Sequence, residues 1–251
     1  MRDKVVDRLL DTSKVNICVP LCGKNIEELN QEIALLDSDI DMVEWRMDCF
    51  IANTCEDWID VLQSICPLMK DFVLLATWRS EKEGGRQNCT QYKELLTAVI
   101  NSGLVDMIDI ELFQAEETVK FLIAAAHEKG IAVVLSNHAI NETPDTQAMM
   151  IRLQAMYKMN ADIVKLAVMP KSINDVWRLL EVSSSFHEQY AQCYLVTMAM
   201  GKIGVISRIC AELSGSIISF AALKEASAPG QLPCKQLKQL LDSFHQAYHQ
   251  E

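Results

Sequence analysis

Two hydrophobic patterns alternate along this chain. Short, nearly continuous apolar runs rich in β-branched residues predict strands buried on both faces. Longer stretches with apolar residues every three or four positions predict amphipathic helices. The first strand is expected over Val15 to Val19, stopping at Pro20. A helix toward Leu36 follows, its start marked by Asn25 with Glu28 three residues on. Met42 to Met47 reads as the second strand, with a helix from Cys55 to Met69. Phe72 to Thr77 is the third and leads into Trp78 and Arg79. The polar loop Glu81 to Asn88 and a helix over Thr90 to Asn101 come next.

Val105 to Leu112 is the fourth strand, and its helix ends at Lys129-Gly130, a basic last turn before a C′ glycine. Ile131 to Leu135 is the fifth, with Ser136-Asn137-His138 at its carboxyl end. Thr143 with Pro144 then reads as a cap and first helical position. Ile163 to Val168, closed by Pro170, is the sixth, followed by a helix over Ile173 to Gln189. Cys193 to Thr197 is the seventh, followed by a helix with Val205, Ile209 and Leu213 on one face. Ile217 to Phe220 is the eighth, and the last helix runs from Cys234 to about Gln246.

Strict alternation of strand and helix implies a parallel sheet, and eight such units fit a (β/α)8 TIM barrel, read as one domain over residues 1–251. The alternative is an open doubly wound sheet. Against it, Pro20-Leu21-Cys22-Gly23-Lys24 is neither a glycine-rich dinucleotide turn nor a P-loop.

Composition narrows the class further. A hydrophobic fraction of 50% supports a large core, and the net charge of −11 argues against non-specific nucleic-acid binding while leaving room for a small anion held by local arginines. No run approaches the ~20 apolar residues of a membrane span. Met1-Arg2-Asp3-Lys4 lacks the apolar segment of a signal peptide, so a cytoplasmic protein with no membrane partner is expected. The nine cysteines, odd in number and without a CxxC pair, read as small buried hydrophobes in a reducing compartment, and no metal site is expected.

The chemistry starts at Lys165. Lysine is almost never fully buried unless paired, yet it stands inside the sixth apolar run. A desolvated lysine can attack a carbonyl and form a Schiff base, whereas a strand-end lysine simply snorkels to solvent. The other strands weigh on the choice, because barrel active sites lie at strand carboxyl ends. Glu44 and Arg46 close the second strand on one face, Arg79 follows the third, Asp109 and Glu111 close the fourth and His138 the fifth. Gly201 and Gly204 flank a helix start whose free N–H groups would favour an anion. Arg208 on its first turns could grip a carboxylate, with Ser227 and Gln231 nearby. A phosphorylated ligand is the competing reading at this level.

Several stretches together resemble type I 3-dehydroquinate dehydratase, the Schiff-base enzyme of the shikimate pathway. They are Glu44-Trp45-Arg46, Thr77-Trp78-Arg79 with Glu83-Gly84-Gly85, Ile108 to Phe113, Ser136-Asn137-His138, Asp162 to Pro170, Thr197 to Lys202, Gly204 to Arg208 and Ala226 to Gln231. The resemblance implies a barrel that converts 3-dehydroquinate to 3-dehydroshikimate without metal or organic cofactor, and a homodimer. It implies Lys165 as the imine-forming nucleophile, His138 as general base and acid, and Glu83 as the carboxylate that orients the histidine, with Asp109 a second candidate. Arg208, Ser227 and Gln231 would hold the substrate carboxylate, while Glu44, Arg46 and Arg79 would hold the ring hydroxyls. Met198 and Met200 would wall the pocket or serve the core. Ala139 stands where many members carry aspartate, and Trp78 where phenylalanine is usual. The rivals are a class I aldolase-type barrel and a non-catalytic barrel that binds a related carboxylate.

Overall fold

Each apolar run becomes a strand of one parallel sheet: β1 (Asn16–Leu21), β2 (Met42–Arg46), β3 (Val73–Thr77), β4 (Met107–Glu111), β5 (Ala132–Ala139), β6 (Ile163–Val168), β7 (Tyr194–Ala199) and β8 (Ile218–Phe220). The structure, a computed structural model, describes residues 5–52, 54–87 and 89–250. Met1 to Lys4 and the loop end at Asn88, both used in the sequence reading, lie outside the described residues. Sheet order is β7-β6-β5-β4-β3-β2-β1-β8. A narrow seam closes the ring between the two ends. Ile217 N donates to Leu195 O at 2.9 Å, and Thr197 N donates to Ser216 Oγ at 2.8 Å. The result is a (β/α)8 barrel.

Around it run α2 (Ile26–Ile33), α3 (Cys55–Ile65), α4 (Tyr92–Ser102), α5 (Glu116–Glu128), α6 (Thr146–Lys158), α7 (Ile173–Gln189), α8 (Val205–Ile209) and α9 (Cys234–Tyr248). Alternate strand residues face opposite ways, so the sheet feeds two cores. Outward residues such as Val43, Trp45, Ile108, Ile110, Val164 and Leu166 pack against helix residues such as Leu62, Leu122 and Leu179. Inward residues such as Met42, Leu75, Met107, Val134, Ile163 and Val196 fill the barrel. This double burial is why the strands read as unbroken apolar runs. No helix among the described residues is long and apolar enough to cross a membrane.

One element was not anticipated, and three expectations are corrected. A short α1 (Val5–Leu9) precedes the barrel, too brief for a periodic signal. Val6 and Leu10 join the interior cluster, plugging the end opposite the strand carboxyl termini. Strand β1 runs through Pro20 rather than stopping there. The β1–β8 register ends at Cys18–Phe220, so the missing N–H faces a side where β8 has run out. Helix α6 is capped by Asp145, whose Oδ1 accepts from Ala148 N at 2.7 Å, and not by Thr143, whose hydroxyl is buried without a partner. Helix α8 ends at Ile209, because the chain turns through Gly215 at φ 79 to enter β8. Leu213 is consequently 55% exposed rather than part of an apolar face.

Asp145→Ala is expected to lower the free energy of unfolding by about 1 kcal/mol, read from the denaturant midpoint at unchanged slope. Thr143→Ala should cost clearly less; equal losses would restore Thr143 as the cap.

Candidate active site

The two-residue strand repeat sorts polar groups by height inside the barrel. Along β2 the inward residues are Met42, Glu44 and Arg46; along β4, Met107, Asp109 and Glu111; along β6, Ile163, Lys165 and Ala167. The amino-terminal positions are apolar and the carboxyl-terminal ones largely charged. Register aligns them across strands, Thr77 with Asp109, Glu111 with Ser136 and Ser136 with Lys165. A charged layer therefore sits on an apolar floor.

Lys165 is 3% exposed and does not snorkel. Its Nζ lies 3.4 Å from Glu44 Oε1, 3.6 Å from Asp109 Oδ2 and 4.3 Å from the centre of the Phe220 ring. Glu44 is fixed in turn by Thr77 Oγ1, which donates to Oε1 at 2.9 Å. Burial alone would raise the Asp109 carboxyl, but Arg79 and Lys165 outweigh it and hold it below the ordinary range.

Arg79 ties the layer together. It reaches Asp109 at 2.8 Å, Glu111 at 3.0 Å and Glu83 at 3.5 Å, and donates to Ser136 Oγ at 3.0 Å. Glu83 sits in a 3-10 turn (Glu81–Glu83) that folds back through Gly84 and Gly85. A Cβ at Gly85 would overlap the Arg79 carbonyl. This return brings Glu83 over β5, where Oε2 accepts from His138 N at 2.8 Å and lies 3.0 Å from His138 Nδ1. Asn137 Nδ2 donates to the other oxygen at 2.9 Å, and Arg152 braces Asn137 Oδ1 from outside.

Burial pushes Glu83 up to about 7, against the pull of Arg79 and with Glu111 adding to the rise. The His138 imidazole moves the other way, well below its usual 6.5. Burial leads, and the cations Arg79, Lys165 and Arg46 add to it. A Glu83 carboxylate as acceptor puts the ring proton on Nδ1 and leaves Nε2 as the basic nitrogen. With Ala139 next in the chain, the hold on the imidazole comes from Glu83, which Asn137 fixes in turn.

Arg208 is the exception to this pairing. It is 1% exposed, yet no carboxylate lies within ion-pair distance among the described residues. Its contacts are to Phe220 O at 3.3 Å, Pro229 O at 3.4 Å and Met198 Sδ at 3.8 Å, and its Nε has no partner. Burial pulls it down to about 10. The glycine N–H groups expected to help are not free: Gly201 N donates to Pro229 O and Gly204 N to Gly201 O. A five-residue α8 offers no independent anion site, so the guanidinium itself is the positive element. Ser227 and Gln231 bond to each other, with Gln231 Oε1 accepting from the N–H groups of Ser227 and Ala228.

All nine sequence-selected residues, Lys165, His138, Glu83, Glu44, Arg46, Arg79, Arg208, Ser227 and Gln231, line one pocket of about 230 Å³, together with Met198 and Met200. Asp109 and Glu111 lie behind it, holding Arg79. Asp48 and Phe220 were missed. Asp48 grips Arg46 with two bonds of 2.7 and 2.8 Å and accepts from the backbone N–H of Arg86 at 3.1 Å. Its spacing two residues after Arg46 was a usable signal. Phe220 gave none, since a strand aromatic reads as core.

A (β/α)8 barrel with a buried amine, a carboxylate-held histidine and an unpaired guanidinium at its carboxyl rim defines an enzyme of the barrel class. Residues 17–248 match the family model for type I 3-dehydroquinase. The chain is 41% identical over 247 residues to the 3-dehydroquinate dehydratase of Salmonella typhimurium, spanning 97% of this chain and 98% of that protein. It is also similar to a crystal structure of type I 3-dehydroquinate dehydratase from Clostridium difficile with covalent modified comenic acid, at TM-score 0.90 and 38% identity over 93% of this chain and 94% of that one. For the 3-dehydroquinate dehydratase of Geobacillus kaustophilus the values are 0.89 and 30%, over 95% and 93%. The protein belongs to the type I 3-dehydroquinase family.

Nuclear magnetic resonance of the labelled histidines checks the electrostatics. The His138 ring should titrate below 6.5, because burial and three cations all oppose adding a proton. A midpoint at or above 6.5 would contradict this account.

Proposed function

We propose that the protein dehydrates 3-dehydroquinate to 3-dehydroshikimate through an imine on Lys165. The observation that carries the reading is one pocket that combines a buried primary amine, a histidine locked to a carboxylate and a guanidinium without a counter-charge. The missing counter-charge is assigned to the substrate carboxylate, so Arg208 orients the ring, with Ser227 and Gln231 completing the grip. Glu44, Arg46 and Arg79 face the ring hydroxyls, and Arg79 also fixes Asp109, Glu111 and Glu83.

Lys165 Nζ adds to the ketone carbon, and loss of water gives the imine. Glu44 is the nearest carboxylate to take a proton from the amine. The imine withdraws electrons and acidifies the neighbouring C–H. His138 Nε2 removes that proton, Glu83 stabilising the resulting imidazolium through Nδ1. The enamine expels the hydroxyl as His138 returns the proton, and water cleaves the imine to free Lys165. Support for this reading over a phosphate-gripping aldolase comes from the loop amides: those of Gly201, Gly204, Ser227 and Ala228 are already bonded within the protein.

The direct test is borohydride reduction in the presence of 3-dehydroquinate, followed by intact mass and peptide mapping. An adduct on Lys165, absent in Lys165→Ala, is expected; turnover without any adduct would sink the imine route. His138→Ala should lower kcat by roughly 10²- to 10⁴-fold while still forming adduct. Because Glu83, raised to about 7, must be a carboxylate to hold the proton on His138 Nδ1, the acid limb of kcat/KM should fall near 7, above the depressed His138. Arg208→Gln should raise KM by about tenfold to a hundredfold, the worth of a charged hydrogen bond, and leave Lys165 reducible.

A further inference from the structure

Of the chain's five histidines, two lie near the end of α9 and take no part in the pocket. His245 and His249 stand four residues apart, so they project from one helix face. Facing them is Glu212, in the segment between α8 and β8. Its Oε1 lies 2.8 Å from His245 Nδ1 and 2.8 Å from His249 Nε2. The two rings are 4.5 Å apart and tilted by 53°, so their nitrogens converge on that oxygen. One atom from each of the three residues lies within 4.8 Å of the others.

We propose that Glu212, His245 and His249 bind a divalent late first-row transition cation, such as zinc or nickel, which clamps α9 to the turn ahead of β8. Two imidazoles and one carboxylate suit these ions, whereas magnesium and calcium favour all-oxygen sites. The expectation of no metal site rested on a lack of clustered Cys/His spacing; the histidine pair four residues apart at the end of α9 is the spacing it passed over. Little rearrangement is needed. A tetrahedral centre with bonds of about 2.0–2.1 Å holds its ligand atoms roughly 3.4 Å apart. The 55% exposed His249 side chain can swing outward to provide that room. The same exposure leaves the fourth position open to water.

The cluster is at the barrel end opposite the pocket, because α9 runs antiparallel to the strands and Glu212 precedes β8. Occupancy should therefore change stability rather than the reacting groups. The cation would join the last helix to the segment that leads into the closing strand, and binding to the folded state alone raises its stability by mass action.

Chelator-stripped full-length protein would be titrated with zinc by calorimetry, with melting followed in parallel, for wild type, His249→Ala, Glu212→Gln and His138→Ala. One equivalent should bind and raise Tm in wild type and His138→Ala, and affinity should drop more than about tenfold in the other two. Cobalt should give a visible absorption band in wild type that is lost with His249→Ala, a surface change that does not threaten folding. Unchanged zinc affinity and stoichiometry in His249→Ala would place the metal elsewhere and overturn the proposal. So would no binding to wild type at about 1 mM zinc, which would leave Glu212 as a hydrogen-bond acceptor only.

Discussion

The barrel mouth is built on the need to neutralise charge that has been taken out of water. Isolated ions are costly in a protein interior, and removing one partner of a buried pair leaves such an ion behind. Arg79 answers that constraint by joining β3 to Asp109 and Glu111 on β4, to Ser136 on β5 and to Glu83 in the turn after β3. Each carboxylate in this set has a second job. Asp109 faces Lys165, Glu111 accepts from Ser80 N, and Glu83 holds His138. The geometry of the amine and the imidazole is thus inherited from an ion cluster centred on one guanidinium.

Two buried arginines show how the same residue serves opposite ends. Arg79 is satisfied and serves as a brace. Arg208 is equally buried but lacks a charged partner among the described residues, and only carbonyl and sulfur atoms approach it. Its buried charge is not balanced by a carboxylate of the described residues, and in the proposed function the substrate carboxylate would balance it. That imbalance carries more information about the ligand than the overall charge of −11, which points the other way.

Much of this was legible beforehand because both faces of a barrel strand are buried. Any charged residue inside such a run, Lys165 or Asp109 for instance, stands out against the apolar background, and two-residue spacing gives its side. The nine residues selected this way and by resemblance do share one pocket. What stayed hidden was contact made by chain return. Asp48 met the Arg86 amide, α1 plugged the barrel floor, and Glu212 met the two histidines at the end of α9 across a loop. None of these has a local periodicity to betray it.

By itself the sequence determined the alternation of elements, the parallel sheet and the layer of charge at the strand ends, because hydrophobic period and side-chain direction are local properties of the chain. Tertiary structure alone decided the pairing of those charges. Whether Arg79 is braced or free, whether the Gly201 amide is open or taken by Pro229, and where Phe220 sits relative to Lys165 all depend on residues tens of positions apart. Such choices are set by ring closure and by loops folding back through Gly85 and Gly230, where a side chain would overlap the facing backbone.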